Sequence, residues 1–267
     1  MVSHDSLPNI DTSVAHSARI YDYWLGGKDN FESDRAVGDA MIQAIPTLPT
    51  MARANREFLG RAVRYLAGEA GIRQFLDIGT GIPTAGNVHE VAQQVAPDTR
   101  VLYVDHDPIV LAHARALMTG TSQGRTEFLM ADLREPEEIL SSPEFARTLN
   151  LAEPVALMLV AILMYFDDAE GVHEWVATLV DALPSGSYVT VTHPTADFEP
   201  AAFAAAANAA ASGGITLVPR TKEEIGRFLT GLTLVEPGIV PMLTWHPDEE
   251  PADPNAAWYW AAMAHKP

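Results

Sequence analysis

Seven apolar runs of strand length recur from Arg73 onward, and the stretches between them carry apolar residues at helical spacing. They are Gln74 to Ile78, Arg100 to Val104, Thr126 to Met130, Val155 to Ile162, Ser187 to Thr192, Thr233 to Glu236 and Trp258 to Ala264. Strands that alternate with helices predict an α/β fold around a mainly parallel sheet. Val88, Val91, Ala92 and Val95 place a helix over Asn87 to Val95, closed by Pro97-Asp98. Asp107-Pro108 supplies an N-cap and a first-turn proline for a second helix that carries Ile109, Leu111 and Ala112. Asp167-Asp168 opens a third, through Val172, Val176, Leu179 and Val180 to the turn Leu183-Pro184-Ser185-Gly186.

Residues 1–70 read differently. They hold no convincing strand, and two helical patterns, Asp34 to Ile45 and Met51 to Leu66, are separated by Pro46 and Pro49. Their apolar positions need another surface, so 1–70 is expected to be a helical cap on an α/β body spanning 71–267. Ala201 to Ala211 is alanine-rich and predicts a surface helix over the late strands with little to pack.

Composition narrows the partners. Seventeen Lys and Arg against 35 Asp and Glu leave a net charge of −18, a surface that repels a phosphate backbone, so nucleic acid is not an expected partner. The absence of cysteine excludes disulfides, thiolate catalysis and iron–sulfur clusters, and fits a cytoplasmic protein. Val155 to Phe166, the longest apolar run, is too short to span a bilayer, and MVSHDSLPNID lacks a signal pattern, so a soluble, unprocessed chain is expected. None of the nine histidines forms a His-Glu-x-x-His or close His-x-His pair, so no metal site is indicated.

The chemistry is concentrated in Phe75-Leu76-Asp77-Ile78-Gly79-Thr80-Gly81-Ile82-Pro83, a buried strand running into a glycine turn and then a helix. Gly79 and Gly81 let the backbone turn sharply and approach a ligand, but Thr84 stands where a pyrophosphate fingerprint needs a third glycine. Asp77 lies inside the apolar strand, where a carboxylate needs a cationic or hydrogen-bonding partner such as a ligand ammonium. Asp105, followed by His106, ends the next strand where an acid can accept both hydroxyls of a ribose. Ala131-Asp132-Leu133 follows the third strand, where Asp132 would accept an adenine amine.

An acid before G-x-G, an acid ending strand two and A-D-L after strand three describe an adenosine bearing an amino acid. In this order over residues 73–193 the sequence resembles the class I S-adenosylmethionine-dependent methyltransferases, with Ser187 and Pro83 replacing two customary glycines. A narrower resemblance lies in Ala18-Arg19-Ile20-Tyr21-Asp22-Tyr23-Trp24-Leu25-Gly26-Gly27-Lys28-Asp29-Asn30-Phe31, Asn55-Arg56-Glu57-Phe58-Leu59 and Gly71 to Asp77. These strings resemble a bacterial S-adenosyl methyltransferase family once catalogued as a domain of unknown function. The resemblance implies a Rossmann-like seven-stranded sheet with the last strand antiparallel, S-adenosylmethionine as cofactor, and methyl transfer to an acceptor, expected here to be a small molecule.

Gly26-Gly27 breaks any helix, while Lys28 and Asp29 match the carboxylate and ammonium of a zwitterionic amino acid. Tyr21 to Phe31 is therefore expected to be a lid, with Gly27, Lys28 and Asp29 at the methionine end of the cofactor. Its alternative is a solvated turn between two helices. His193 stands at the end of strand five, at the edge where open α/β sheets hold ligands; it is a candidate general base or a plain loop histidine. Two competing functions are a nicotinamide-dependent oxidoreductase, against which Thr84 and the A-D-L element count, and a non-catalytic S-adenosylmethionine-binding protein.

Overall fold

The computed structural model describes residues 11–117 and 120–267; residues 1–10 of the expected cap lie outside them. Three helices come first, α1 (Ser17–Leu25), α2 (Glu32–Ala44) and α3 (Leu48–Gly68). The alternating body follows as β1 (Gln74–Ile78), α4 (Val88–Val95), β2 (Arg100–Asp105), α5 (Pro108–Leu117), β3 (Arg125–Met130), α6 (Pro136–Ser141), α7 (Pro143–Thr148), β4 (Ala156–Val160), α8 (Val172–Ala182) and β5 (Tyr188–Pro194). Last come α9 (Pro200–Ser212), α10 (Lys222–Arg227), β6 (Thr233–Leu234), β7 (Val240–Pro241) and β8 (Tyr259–His265).

The strands form one sheet in the order β3-β2-β1-β4-β5-β8-β6, with β7 also paired to β8. β1 to β5 run parallel, and β8 is antiparallel to β5, β6 and β7. The strand order reverses between β1 and β4, which opens a crevice at their carboxyl ends. The sheet has eight strands rather than seven: Val240–Pro241 adds a two-residue strand whose pairing depends on β8 and leaves no local pattern. The apolar run from Val155 is a strand only as far as Val160, because Ala161 takes φ 55° and turns the chain away. Asp167 caps a 3-10 turn at Asp168–Glu170, and the helix expected there starts only after Gly171.

Strand alternation decides which face each acid sees. Leu76 and Ile78 of β1, with Leu102 and Val104 of β2, enter the core beneath α6, α8 and α10. Phe75, Val101 and Tyr103 enter the other core, which is shared with α1 to α4. Asp77 and Asp105 follow Phe75 and Tyr103 by two residues, so both face the N-terminal helices.

Those helices are fastened to the body by polar ties as well as apolar burial. Arg61 of α3, nearly buried, donates to the carbonyls of Trp245 and Met242 at 3.1 Å each, while fully buried Trp245 meets Phe58 edge-on at 5.3 Å. Arg19 and Asp34, both buried, pair at 3.2 Å, and Asp34 accepts from the Phe31 N–H that enters α2. Of the two prolines only Pro46 lies between α2 and α3, with Ile45 and Thr47; Pro49 sits in the first turn of α3. The alanine-rich helix α9 is not an idle surface element. Phe203, Ala206 and Ala210 are buried in the core that also holds Met41 of α2. Among the described residues no helix is long and apolar enough to cross a membrane.

Candidate functional site

The turn after β1 is fixed from both sides. Gly79 has φ 73° and donates to the Val104 carbonyl at 2.8 Å; a Cβ there would lie 2.5 Å from Cδ1 of Ile162, which the Ala161 turn brings over it. Gly81 donates to Asp105 Oδ2 at 2.9 Å, and Asp107 N–H donates to Asp105 Oδ1 at 2.9 Å. Burial pushes the Asp105 carboxyl up, with those two backbone donors pulling against it. Asp107 caps α5 by accepting from Ile109 N–H at 2.8 Å, which leaves Asp105 free of that duty.

Asp77 is the more exacting feature. Burial raises its carboxyl to about 7, the charge of Arg56 pulls it down, and that of Asp105 pushes it up again. Among the described residues no hydrogen bond reaches this carboxylate, although it is nearly buried. The helix that follows the glycine turn is α4, which begins at Val88 with Asn87 as its N-cap, in line with the expected span, so its N-terminus stands some way along the chain from Gly81. Arg56 of α3 spans that gap, donating to the Gly86 carbonyl at 3.1 Å and to Asn87 Oδ1 at 3.3 Å.

A cavity of about 700 Å³, counted out to its open mouth, is lined by Asp77, Gly79, Thr80, Gly81, Asp105 and His106. Its opposite wall is α1 and α3. There Thr192 donates to Asn55 Oδ1 at 2.7 Å, Asn55 donates to the Tyr21 hydroxyl at 3.0 Å, and Tyr21 donates to the Ala52 carbonyl at 3.0 Å. This chain of hydrogen bonds locks Tyr21 against the end of β5. At the rim, His16 Nδ1 lies 3.0 Å from Asp107 Oδ2, and its Nε2 lies 3.4 Å from Nε2 of half-exposed His106. Asn55 and Arg56 stood in the sequence only as part of a resemblance, and His16, Ala161 and Tyr165 carried no signal, since their place depends on contacts across the fold.

Other candidates land elsewhere. Asp132 turns to Arg134, taking its Nη2 at 2.6 Å and its Nε at 3.1 Å; burial raises the Asp132 carboxyl, but those bonds outweigh it and leave it below the ordinary value. Its carboxylate does not line the cavity. Ala131 N–H donates to the Asp105 carbonyl at 3.1 Å, and Leu133 is buried in the core beyond the sheet. Gly27, Lys28 and Asp29 form a local turn around Asp22 rather than a wall of the cavity. Asp22 Oδ2 accepts from Asp29 N–H at 2.9 Å and Asn30 Nδ2 at 2.8 Å, and a Cβ on Gly27 would collide with that carboxylate. Lys28 is exposed, and Asp29 lies 3.7 Å from His113 of α5. The part of the string that does meet the cavity is its beginning, Ala18 and Tyr21, just after Ser17.

His193 is fully buried, with Nδ1 2.7 Å from the Pro194 carbonyl and Nε2 accepting from Arg220 Nη1 at 2.9 Å. Burial drops it to about 3, with Arg220 adding to the drop. Both ring nitrogens are spoken for, so His193 stays neutral and has no lone pair for a substrate. Arg220 also donates to the carbonyls of Leu163 and Phe166 at 2.9 and 2.8 Å, which holds the turn that carries Tyr165.

Tyr165 and Ser17 also line a second cavity, which Asp77 does not line and which is walled by α1, α2, α3, α9, β8 and Pro194 at the end of β5. Its lining includes Trp24, Met41, Met51, Met164 and Phe203. Burial raises the Tyr165 hydroxyl well above the ordinary phenol value, with Tyr21 adding to the rise and Ser17 opposing it.

Comparison with known proteins agrees with this geometry. No curated protein matches the sequence. A DUF574 family protein from Streptomyces avermitilis is 47% identical, over 97% of this chain and 100% of that one, with a TM-score of 0.94. A candidate methyltransferase from Thermobifida fusca is 43% identical, over 97% of each chain, with a TM-score of 0.89. The N-methyltransferase NodS from Bradyrhizobium japonicum, solved with S-adenosyl-L-homocysteine, is 12% identical over 93% of this chain and 99% of that one, with a TM-score of 0.50, a likeness of fold alone. The profile described as S-adenosyl methyltransferase matches residues 3–267, so the chain belongs to the S-adenosyl methyltransferase family, with S-adenosylmethionine as its cofactor.

Proposed function

We propose that this protein transfers the methyl group of S-adenosylmethionine to a small molecule held beneath its N-terminal helices, residues 1–70 serving as the cap and 71–267 as the cofactor-binding body. What carries the reading is Asp77, a nearly buried carboxylate that faces a cavity with no hydrogen bond to satisfy it among the described residues. Such a group costs several kcal/mol unless a cation meets it, and the cofactor's ammonium is such a cation. Gly79, Thr80 and Gly81 line the methionine end beside it. Asp105, already oriented by Gly81 and Asp107, takes the ribose hydroxyls, and His106 flanks the adenosine at the rim. Asp132, committed to Arg134, and the Gly27-Lys28-Asp29 turn have no part in the assignment.

Held by Asp77, the Gly79–Gly81 turn and Asp105, the bound sulfonium would supply an electrophilic methyl to an acceptor's lone pair, with the carbon–sulfur pair returning to sulfur and any acceptor proton passing to solvent as the product leaves. The protein's own contribution is placement and exclusion of water. Tyr21, Asn55 and Thr192 hold the wall rigid, and Arg56 balances Asp77 until the ligand does.

Thermal unfolding with S-adenosylhomocysteine, NAD and NADP tests this. The adenosyl compound is expected to raise the melting temperature and the nicotinamide compounds to leave it unchanged. A shift with NAD alone overturns the assignment.

A further inference from the structure

The second cavity adjoins the first through two shared residues, Ser17 and Tyr165. We infer that the methyl acceptor is an uncharged, largely apolar small molecule, its body in the chamber between α1, α2, α3, α9 and β8 and its nucleophilic atom at the Ser17–Tyr165 neck. This rests on the reading of the polar cavity as the cofactor's place.

Among the described residues no Asp, Glu, Lys, Arg or His lines the chamber, which opens to solvent at its mouth. A charged acceptor would leave its hydration there with nothing to pair it. The lining instead offers Trp24 and Phe203 as flat apolar surface, and Met41, Met51 and Met164 as unbranched side chains that adapt to an irregular shape. The Trp24 indole N–H is given to the Gly38 carbonyl at 3.4 Å, which leaves hydroxyls as the polar side-chain groups of the lining: Ser17 and Tyr165 at the neck, and Tyr259 on β8. Burial pushes the phenols of Tyr165 and Tyr259 well above their ordinary values, so both stay protonated and orient a ligand by hydrogen bonds without charge. The neck is itself anchored. Tyr165 sits on the turn whose flanking carbonyls Arg220 holds, and Ser17 opens α1 directly after His16, which pairs with Asp107.

Two isosteric probes test the inference, naphthalene-2-carboxamide and naphthalene-2-carboxylate, titrated calorimetrically into protein saturated with S-adenosylhomocysteine and into protein alone. The neutral amide is expected to bind at least about tenfold more tightly than the carboxylate. Ala206→Phe, which fills the chamber from α9, is expected to weaken the amide by at least about tenfold while S-adenosylhomocysteine still binds. Should that variant fail to fold, Leu217→Trp at the partly exposed edge of the chamber carries the same test. Equal binding of the two probes, no binding of the amide, or indifference of the amide to a folded filling variant overturns the proposal. Failure of S-adenosylhomocysteine to bind removes the cofactor reading, and the probe titrations into protein alone show separately whether the chamber still selects the neutral ring.

Discussion

The two cavities share Ser17 and Tyr165 and are otherwise opposites in chemistry and origin. The first collects Asp77, Asp105, His106 and Arg56 around backbone N–H groups, and its polar floor comes from two consecutive strand ends. The second collects thioethers, aromatic rings and aliphatic chains from elements scattered between Ser17 and Tyr259. Their energetics differ in sign. An unpaired Asp77 taxes the empty fold, whereas the apolar walls belong to the core that holds the helices down. A polar site is specified by few residues at high cost each, and an apolar one by many residues at low cost each. Substitutions should therefore behave differently in the two.

The largest effect is expected at Asp77. Asp77→Asn should weaken S-adenosylhomocysteine by about 3 kcal/mol, over a hundredfold, because the ammonium loses its counter-charge. The same change should stabilise the ligand-free protein. The folded-state carboxyl stands at about 7 against 3.8 when unfolded, so the fold keeps a proton the unfolded chain has lost. The penalty grows as pH rises from about 4 and is complete above about 7. Urea unfolding should show a gain of about 1–3 kcal/mol at pH 8 and a smaller one at pH 5. Loss of stability at pH 8 would mean that Asp77 is a structural acid.

Next comes Asp105→Ala, expected to cost roughly 1.5–3 kcal/mol of cofactor affinity by calorimetry, with Asp105→Asn costing less because an amide oxygen still accepts. Unchanged affinity in the alanine variant would remove the ribose assignment. Then pH alone should act on the first cavity. Lowering pH from 7 to 6 protonates Asp77 in the free protein while the ligand's ammonium stays charged, so affinity should fall about fivefold. The amide probe of the second cavity should not respond over the same interval, and a parallel fall would show that the cavities are not electrostatically separate.

The smallest effect belongs to the exposed turn. Lys28→Ala and Asp29→Ala should change cofactor affinity by less than about 0.5 kcal/mol, the range for surface positions. A larger loss for S-adenosylhomocysteine than for adenosine would restore the amino-acid contact that the sequence suggested and show that the turn closes over the cofactor.

What the sequence determined by itself is the part of the molecule written in short range. β1, β2, β4 and β5 were legible because strands buried on both faces leave continuous apolar runs, and Asp77, Gly79, Gly81 and Asp105 were legible because an acid or a glycine is costly at such positions without a reason. The tertiary structure decided the partners. Asp132 and Arg134 chose one another, two residues apart, over the cavity, and His193 was claimed by Arg220, which is 27 residues away in the chain. The alanine-rich α9 found a packing partner in α2, and the beginning of the aromatic string, rather than its glycine turn, came to face the first cavity. Strand runs and glycine turns obey local sterics and a period of two, which one stretch of chain contains in full. Whether an imidazole is a base, a carboxylate a ligand or an alanine helix a wall depends on which distant groups reach it first, and only the folded chain settles that competition.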